Sequence, residues 1–492
     1  MLLIALVLIP LLAALLCLLL PHRLWIEAVT VGGAVLTLGL GVAITSQVMA
    51  AGHVEGLGTW LYADALSALS VLIVAFVGAT AALYSVGYLR ENMKEQSAVY
   101  GDGQRESQRY YVLFNLFLFA MIVVPVSNSL GVLWIAIEGT TLASLFLVSF
   151  YRTAEALEAA WKYVIVGSVG IALALFGTVL AYYSAVQVLG PSYDLNWSVL
   201  APVAPRLDPG VMRLAFIFIL VGFGTKAGLA PMHTWLPDAH SEAPSPISAL
   251  LSGVLLNTAM YGILRYYALA TPSLGHSYPN GLLLAFGLLS LLIAALFILR
   301  QRDFKRLLAY SSVEHMGIVS VGIAFGGALG LYGALLQMIG HALAKSLMFF
   351  ATGQVSLRYG TKQIDGVAGV VTSMPITGAI LIVGALALTG SPPFGIFISE
   401  FSILSAGFQS GQALAAMVVL SLIAIIFIRF LSPINRMAFG KAAPDLPRGE
   451  ISRTGLVAMI ASLVLVVGLG VVIPGPLGEL LRQSAAVLGG TP

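Results

Sequence analysis

The chain has 492 residues, of which 59% are hydrophobic and only 9% are charged, and its formal net charge is +3. Soluble globular proteins carry about 25% charged residues, so this composition excludes a water-exposed surface around the whole chain and predicts a membrane protein. The small net charge also excludes the dense basic surface of a nucleic-acid-binding protein. The first apolar run, Met1–Leu20, has no basic segment before it, and it predicts a membrane helix rather than a signal peptide.

A helix needs about 20 largely apolar residues to cross a bilayer. About fourteen such runs follow one another with short connections, so the predicted fold class is an all-α polytopic membrane protein. The first run contains the single cysteine, Cys17, which excludes an intrachain disulfide or an iron–sulfur cluster. No GxGxxG, Walker or CxxCH motif is present, so we expect no cofactor, no metal and no redox centre in this chain.

The basic residues predict the orientation of the chain. Most of the 24 lysines and arginines fall on alternate connections, including those around Arg90–Arg109 and Arg300–Arg306. Because cytoplasmic connections are enriched in lysine and arginine, these connections are expected inside and both termini outside. An even number of crossings follows from that arrangement.

Two interrupted apolar segments resemble one another. GLAPMHTWLPD begins at Gly228 and GSPPFGIFISE begins at Gly390, so that Pro231 of the first segment corresponds to Pro393 of the second, next to Pro392. Proline removes a backbone hydrogen bond and breaks a helix, and broken backbone at membrane depth is tolerated only where protein or water satisfies it. Paired broken helices are typical of transporters built from inverted repeats, with the site near the midplane.

Two weaker echoes pair Glu138 with Glu314 and Lys162 with Gln337, although apolar segments can also resemble one another by chance. The repeat divides the chain into an N-terminal three-helix segment, a first repeat, a second repeat, and a C-terminal helix with a tail. The predicted bounds are 1–108, 109–270, 281–433 and 434–492, respectively.

Several charged residues lie inside the apolar runs, where an isolated charge costs roughly 2.5–3.5 kcal/mol. Glu138 and Lys226 have apolar residues on both sides. In a low dielectric such a pair can exchange a proton when a third charge approaches, or it can form a static ion pair. Lys162 lies near the start of its run, so it either belongs to the same relay or extends its ammonium to the membrane surface.

His341 and Lys345 are four residues apart in QMIGHALAKSLMFF, which places both on one face of a helix. Histidine titrates near neutral pH, so this pair suits a proton relay. His315 and Glu314 are adjacent and therefore point to different sides. His315 is the better relay candidate, and we expect Glu314 to face a cytoplasmic entrance.

Glu400 lies in the second broken segment, where it suits a terminal proton donor or acceptor. His233, Asp238 and His240 surround the first break as secondary candidates, and His240 could instead only line a loop. Their spacing matches no metal-binding pattern. Together the buried carboxylates, lysines and histidines form the kind of series found in proton relays.

Three motifs resemble one family. KAGLAPMHTWLPDAHSEAPSPISALLSG at 226–253, KRLLAYSSVEHMG at 305–317 and QMIGHALAKSLMFF at 337–350 are similar to the antiporter-like subunits of complex I. That family also includes subunits of Mrp cation/proton antiporters and of membrane-bound [NiFe]-hydrogenases. The stretch HALAKSLMFFATGQV looks most similar to the hydrogenase-4 branch.

The resemblance implies fourteen core helices, two inverted five-helix repeats, broken helices 7 and 12, and a central hydrophilic axis. It implies redox-driven proton translocation in a prokaryotic inner membrane, with partner membrane subunits and a peripheral [NiFe]-hydrogenase or complex-I-like electron-transfer module. The residues that match its relay positions are Glu138, Lys226, His315, His341 and Glu400.

One position departs from the pattern. Asn257 stands where some of these subunits carry a lysine, and asparagine cannot hold a charge. We hypothesise that Lys345 supplies the missing cation. Two alternative functions stay open, a Mrp-type antiporter subunit without a redox partner and a structural membrane anchor whose relay has decayed.

Overall fold

The computed structural model describes residues 1–95, 103–191, 193–442 and 446–489. Thirteen helices in these ranges are long and apolar enough to cross a membrane, by length and composition. A further crossing segment is divided into two shorter helices on either side of Pro392 and Pro393. The predicted all-α polytopic membrane fold, with about fourteen crossings, is confirmed.

The N-terminal segment contains three long helices and a small hairpin. The helices are α1 (Leu2–Leu19), α2 (Arg23–Ala51) and α3 (Ala65–Glu95). Between α2 and α3, the antiparallel strands β1 (Val54–Gly56) and β2 (Leu61–Ala63) form a hairpin. This hairpin could not be predicted from the sequence, because strands of three residues are too short to give a period of two.

The next five crossing segments correspond to the predicted first repeat. They are α4 (Gln104–Val126), α5 (Leu130–Val148), α6 (Ala154–Leu189), the pair α7 (Pro209–Ala227) and α8 (Leu236–Glu242), and the pair α9 (Ser245–Leu250) and α10 (Leu256–Leu274). A 3₁₀ turn, Met232–Trp235, leads into α8, and one π-helical turn, Leu251–Leu255, joins α9 to α10.

Five more crossing segments correspond to the second repeat. They are α11 (Ser277–Ile298), α12 (Phe304–Phe325), α13 (Gly327–Tyr359), the pair α14 (Pro375–Leu388) and α15 (Gly395–Gln409), and α16 (Ala413–Phe439). The last crossing, α17 (Arg453–Val471), is followed by a 13-residue helix, α18 (Gly475–Val487), which is too short to span a bilayer. The sequence predicts only a tail at this position, so α18 is an additional helix.

Both predicted helix breaks are present, and both have the same local form. Gly228 follows the end of α7 with φ +78°, and Gly390 follows the end of α14 with φ +69°. A positive φ is readily adopted by glycine, which is therefore the usual residue at such helix ends. In each repeat the fourth crossing segment is the broken one. The bounds drawn at 109, 270, 281 and 433 stay predictions.

Close packing of α6 against α7 positions the first break. A Cβ atom at Gly222 would lie 2.4 Å from the Ala174 backbone nitrogen and 2.6 Å from the Gly170 carbonyl oxygen. Only glycine therefore permits this approach, as is typical where small residues bring membrane helices together. The contact holds α7, which carries Lys226, against α6, which carries Tyr163.

A buried ion pair fixes α10 to the start of α3. The Arg265 guanidinium donates to both Asp64 carboxylate oxygens, at 2.6 and 2.8 Å, and lies 4.3 Å from the Trp197 ring centroid. Burial alone would raise the pKa of Asp64, but the charge and hydrogen bonds of Arg265 outweigh it and lower that pKa below its ordinary value. The pair is thus fully charged at neutral pH and acts as a structural clamp.

Candidate functional site

The predicted series of buried carboxylates, lysines and histidines, called the buried series below, has one end between α5, α6 and α7. The Glu138 carboxylate accepts hydrogen bonds from Thr141 at 3.0 Å and from Ser168 at 3.5 Å, and it is only half-buried. Lys226 is fully buried, and its ammonium donates to the Tyr163 hydroxyl at 2.9 Å. Glu138 lies within electrostatic range of Lys226.

Glu138 and Lys226 do not form a direct ion pair. Among the described residues, no carboxylate oxygen lies within 4 Å of the Lys226 ammonium. The ammonium lies 4.5 Å from the centroid of the Tyr163 ring, and the Tyr163 hydroxyl is 2.8 Å from the Ser144 hydroxyl. The alternative of a static ion pair is therefore wrong, because the ammonium is hydrogen-bonded to the Tyr163 hydroxyl and not to a carboxylate.

Trp235 separates this end from the centre of the series. Its indole lies 4.7 Å from the Tyr163 ring and 6.4 Å from the His240 ring, and its N–H donates to the Thr225 carbonyl at 2.8 Å. The 3₁₀ turn after the break in α7–α8 places Trp235 there. Lys226 is therefore connected to His240 across one aromatic ring.

Two histidines and a lysine form the centre. His341 and Lys345 lie one turn apart on α13, as predicted, and the His341 ring is 5.2 Å from the His315 ring on α12. The Lys345 ammonium donates to the Leu308 carbonyl at 2.6 Å and to the Ser311 hydroxyl. His341 lies within electrostatic range of His315, Lys345 and His240.

The histidines at the centre have few protein partners. In the described part of the chain, both ring nitrogens of His240 and both of His341 are buried without a hydrogen-bond partner. Buried polar atoms normally bond to protein or to ordered water. Ring nitrogens that are not committed to protein partners are suited to accept and release protons through water.

Gln337 joins the centre to the far end. Its amide nitrogen lies 2.7 Å from His315 Nδ1, and its amide oxygen accepts a hydrogen bond from Ser399. The carboxylate of Glu400, the residue next to Ser399, lies close enough to the Gln337 side chain to interact with it. The sequence had indicated Gln337 only through its weak echo with Lys162, so this connecting residue was missed as a site residue.

The second helix break makes room for Glu400. A Cβ atom at Gly390 would lie 2.1 Å from the Glu400 Oε2 atom. A mostly apolar cavity of 470 Å³ lies between α15 and α16, and the Glu400 side chain is part of its wall. The series thus runs from the half-buried Glu138 at one side of the chain to Glu400 at the other.

Glu314 is buried near the middle of α12, within electrostatic range of Glu400 and Lys345. Its expected role at a cytoplasmic entrance rested on the nearby basic residues Lys305 and Arg306, and it stays a prediction. Because α12 begins at Phe304, Glu314 lies almost three turns inside the helix.

Lys162 and Asp238 lie outside the series. The Lys162 ammonium pairs with the Asp238 carboxylate, which also accepts from Arg306 at 3.0 Å. Lys162 and Arg306 are partly exposed, and they lie at what we call the basic face, the helix ends that carry Arg90, Arg105, Arg152, Arg302 and Arg306. This arrangement fits a cluster that fastens α8 between α6 and α12.

The remaining two candidates, His233 and Asn257, contact neighbouring helices. His233 lies between the Phe297 and Tyr310 rings, with centroid distances of 6.5 and 6.1 Å. The Asn257 amide donates to the Gly253 carbonyl at 2.8 Å and to the Met338 carbonyl at 3.2 Å, and it thereby links α10 to α13. None of these distances joins His233 or Asn257 to a central histidine.

Known proteins share this fold and much of this sequence. Residues 127–426 match the family described as NADH:quinone oxidoreductase/Mrp antiporter, TM, and residues 57–97 match complex I chain 5 N-terminus. The hydrogenase-4 component F homolog of Methylacidiphilum infernorum is 41% identical over 88% of this chain and 89% of its own length. NADH-quinone oxidoreductase subunit N of Desulforudis audaxviator is 31% identical over 86% of this chain and 83% of its own length.

Among solved structures, a chain of the archaeal membrane-bound sulfane sulfur reductase superposes with a TM-score of 0.86 at 26% identity. The superposition covers 99% of this chain and 98% of that one. The matched region contains both broken helices and the whole buried series. The chain therefore belongs to the family of antiporter-like membrane subunits of complex I, Mrp antiporters and membrane-bound hydrogenases.

Proposed function

We propose that this chain translocates protons along its buried series, coupled to electron transfer in other subunits of a hydrogenase or NADH:quinone-oxidoreductase-like complex. The observation that carries the proposal is the continuity of the series between the two broken helices. Its members are Glu138, Lys226, His240, Lys345, His341, His315, Gln337 and Glu400.

The positions of the buried charges allow a charge change at one group of the series to displace a proton at the next. Lys226 and Lys345 are buried without a carboxylate within 4 Å among the described residues, so each ammonium depends on hydroxyls, carbonyls and more distant charges. In a low dielectric, a charge that arrives at Glu138 acts on Lys226 over several ångströms. A proton displaced there changes the field at the next group, and the change passes along the series.

The position of Glu138 supports a function among partners. Its carboxylate is half-buried between α5 and α6, beside the exposed side chains of Ile135 and Leu142. A carboxylate at membrane depth needs a neighbour to compensate its charge. We expect another membrane subunit at this surface and a peripheral electron-transfer module beyond it, in the inner membrane of a prokaryote.

The composition of the purified complex can distinguish redox-coupled proton translocation from the alternative function of an Mrp-type antiporter subunit. The proposal predicts that the complex purified from native membranes contains nickel or iron–sulfur clusters in constant ratio to this chain, because it assigns electron transfer to other subunits. Metal analysis and electron paramagnetic resonance measure both. A complex with no such centre that exchanges sodium ions for protons would contradict redox coupling and favour the antiporter.

The proposed orientation can be tested with single cysteines, because Cys17 is the only native cysteine and is buried. In a Cys17→Ala background, Trp60→Cys lies at the β1–β2 hairpin and Lys94→Cys lies at the basic face. A membrane-impermeant maleimide should label the first variant in intact cells and the second only after permeabilisation. The reverse pattern would place both termini inside the cell.

A further inference from the structure

A second cavity lies far from the buried series, on the outside of the chain at the basic face. It is formed by the end of α1, the first turns of α4 and the end of α5, and its volume is 390 Å³. Basic and apolar side chains share its wall, namely Arg105, Arg109 and Gln108 with Leu18, Leu113 and Phe146.

The wall of this cavity is fixed in place by Gln108. Its amide nitrogen donates to the carbonyl oxygens of Leu18 at 2.9 Å, Cys17 at 3.1 Å and Leu20 at 3.3 Å. These carbonyls end α1 and have no partner within the helix. A side chain of α4 therefore fastens the end of α1, and the space between the two helices is a built feature of the fold.

The arginines of the cavity are poorly neutralised. Within the described ranges, Arg105 makes no ion pair or hydrogen bond. The Arg109 guanidinium is 4.0 Å from Glu106, whose carboxylate bonds Arg152 more closely, at 2.7 Å. Among the residues that the structure describes, one carboxylate thus serves two arginines while Arg105 has none, so these side chains carry an excess of positive charge at the cavity mouth.

The other side of the cavity is apolar and open to the membrane. Leu18 is 59% exposed and Phe146 is 47% exposed, and the Phe146 ring centroid is 6.0 Å from the Arg109 guanidinium. A free phosphate would use only the arginines. The combination of a basic mouth with an exposed apolar wall at a helix end matches a ligand that has both an anionic head and a hydrocarbon chain.

We propose that this cavity binds an anionic phospholipid. The phosphodiester lies between Arg105 and Arg109, since guanidinium groups match phosphate oxygens in shape and charge. One acyl chain lies along Leu18, Leu113 and Phe146. The site would attach a lipid of the basic-face leaflet to the junction of α1, α4 and α5, and it requires no participation of the proton series.

The test uses the assembled complex in phosphatidylcholine vesicles that contain a photoactivatable phosphatidylglycerol. After illumination, cross-linked peptides are mapped by mass spectrometry. We expect cross-links on the peptides that carry Leu113 and Phe146. Arg105→Gln with Arg109→Gln should raise the phosphatidylglycerol fraction for half-saturation about 25-fold, since each arginine near an anionic headgroup contributes about fivefold.

The matched control is Arg300→Gln with Arg302→Gln, which removes two exposed arginines from the same face. It should leave the cross-linking at these peptides unchanged. Equal loss in both double variants, or no loss in either, would overturn the proposal.

A third part of the experiment distinguishes binding of a whole phospholipid from binding of a free phosphate. Phe146→Ala should weaken cross-linking by phosphatidylglycerol, and soluble glycerol phosphate should compete poorly in the wild type. If glycerol phosphate competes as well as the lipid and Phe146→Ala has no effect, the site binds free phosphate and the phospholipid proposal is wrong.

Discussion

Replacing Lys226 with alanine is expected to abolish proton translocation by the assembled complex while the chain remains folded in the membrane. Among the described contacts, the Lys226 ammonium is the only basic group between Glu138 and the central histidines. It lies within electrostatic range of Glu138 and 6.0 Å from the ring centroid of Trp235, which leads towards His240. Without it, a charge at Glu138 has no proton to displace. Positioned proton-transfer groups commonly contribute at least about a hundredfold to rate.

The measurement is proton uptake or release per electron transferred, in vesicles that contain the complex. We expect the ratio to fall and coupled turnover to drop by about a hundredfold. Glu138→Gln should have the same effect, because glutamine keeps the hydrogen bonds from Thr141 and Ser168 but cannot carry charge.

Lys94→Ala is the control for Lys226→Ala. Lys94 is an exposed lysine at the basic face, and its ammonium pairs only with the nearby Glu91 among the contacts described, at 2.8 Å. An exposed pair of this kind contributes little to stability, so assembly and pumping should be unchanged. An unchanged pumping stoichiometry in both Lys226→Ala and Glu138→Gln would rule out the relay.

The crossing helices and the breaks could be predicted from the sequence because their signals are local. Twenty apolar residues or a proline within them can be recognised without knowing the neighbours. Charged residues such as Lys226 and Glu400 were equally visible, because a charge in an apolar run is rare. The hairpin gave no such signal, because its three-residue strands are too short for a period of two to appear. At 13 residues, α18 is too short to be recognised as a membrane crossing.

The residues that connect the charges could not be predicted in this way. Tyr163, Trp235 and Gln337 are uncharged, and buried aromatic or amide residues are ordinary in a membrane bundle. Their importance depends on which helices meet, as the 2.9 Å contact from Lys226 to Tyr163 illustrates. The pairing of Lys162 with Asp238 likewise depends on how α6 packs against α8. Because Lys162 is paired there, its ammonium does not contact the members of the buried series.

Gln337→Leu is expected to disconnect the centre of the series from Glu400. The Gln337 amide lies 2.7 Å from His315 Nδ1 and accepts a hydrogen bond from Ser399, which precedes Glu400 on α15, so one side chain bridges two helices. Leucine fills a similar volume but offers no donor or acceptor. We expect coupled proton translocation to fall about a hundredfold, as for loss of a positioned proton-transfer group.

The leucine variant needs a control because it removes buried hydrogen bonds. Gln354 lies on the same helix, α13, is equally buried, and donates to the Tyr84 hydroxyl at 3.1 Å, away from the histidines. Gln354→Leu therefore makes the same chemical change with a similar cost in stability, about 1–3 kcal/mol for an unsatisfied buried partner. Assembly of both variants is compared by the amount of complex recovered and its unfolding temperature.

The two variants separate proton transfer from packing. If Gln337 acts as the bridge, Gln337→Leu loses proton translocation and Gln354→Leu keeps it at equal assembly. Gln337→Glu should retain translocation, since a carboxyl group can still exchange hydrogen bonds with His315 and Ser399. Equal losses in the two leucine variants would mean that Gln337 serves packing alone, and the route from His315 to Glu400 would then have to pass through Glu314, which lies within electrostatic range of Glu400.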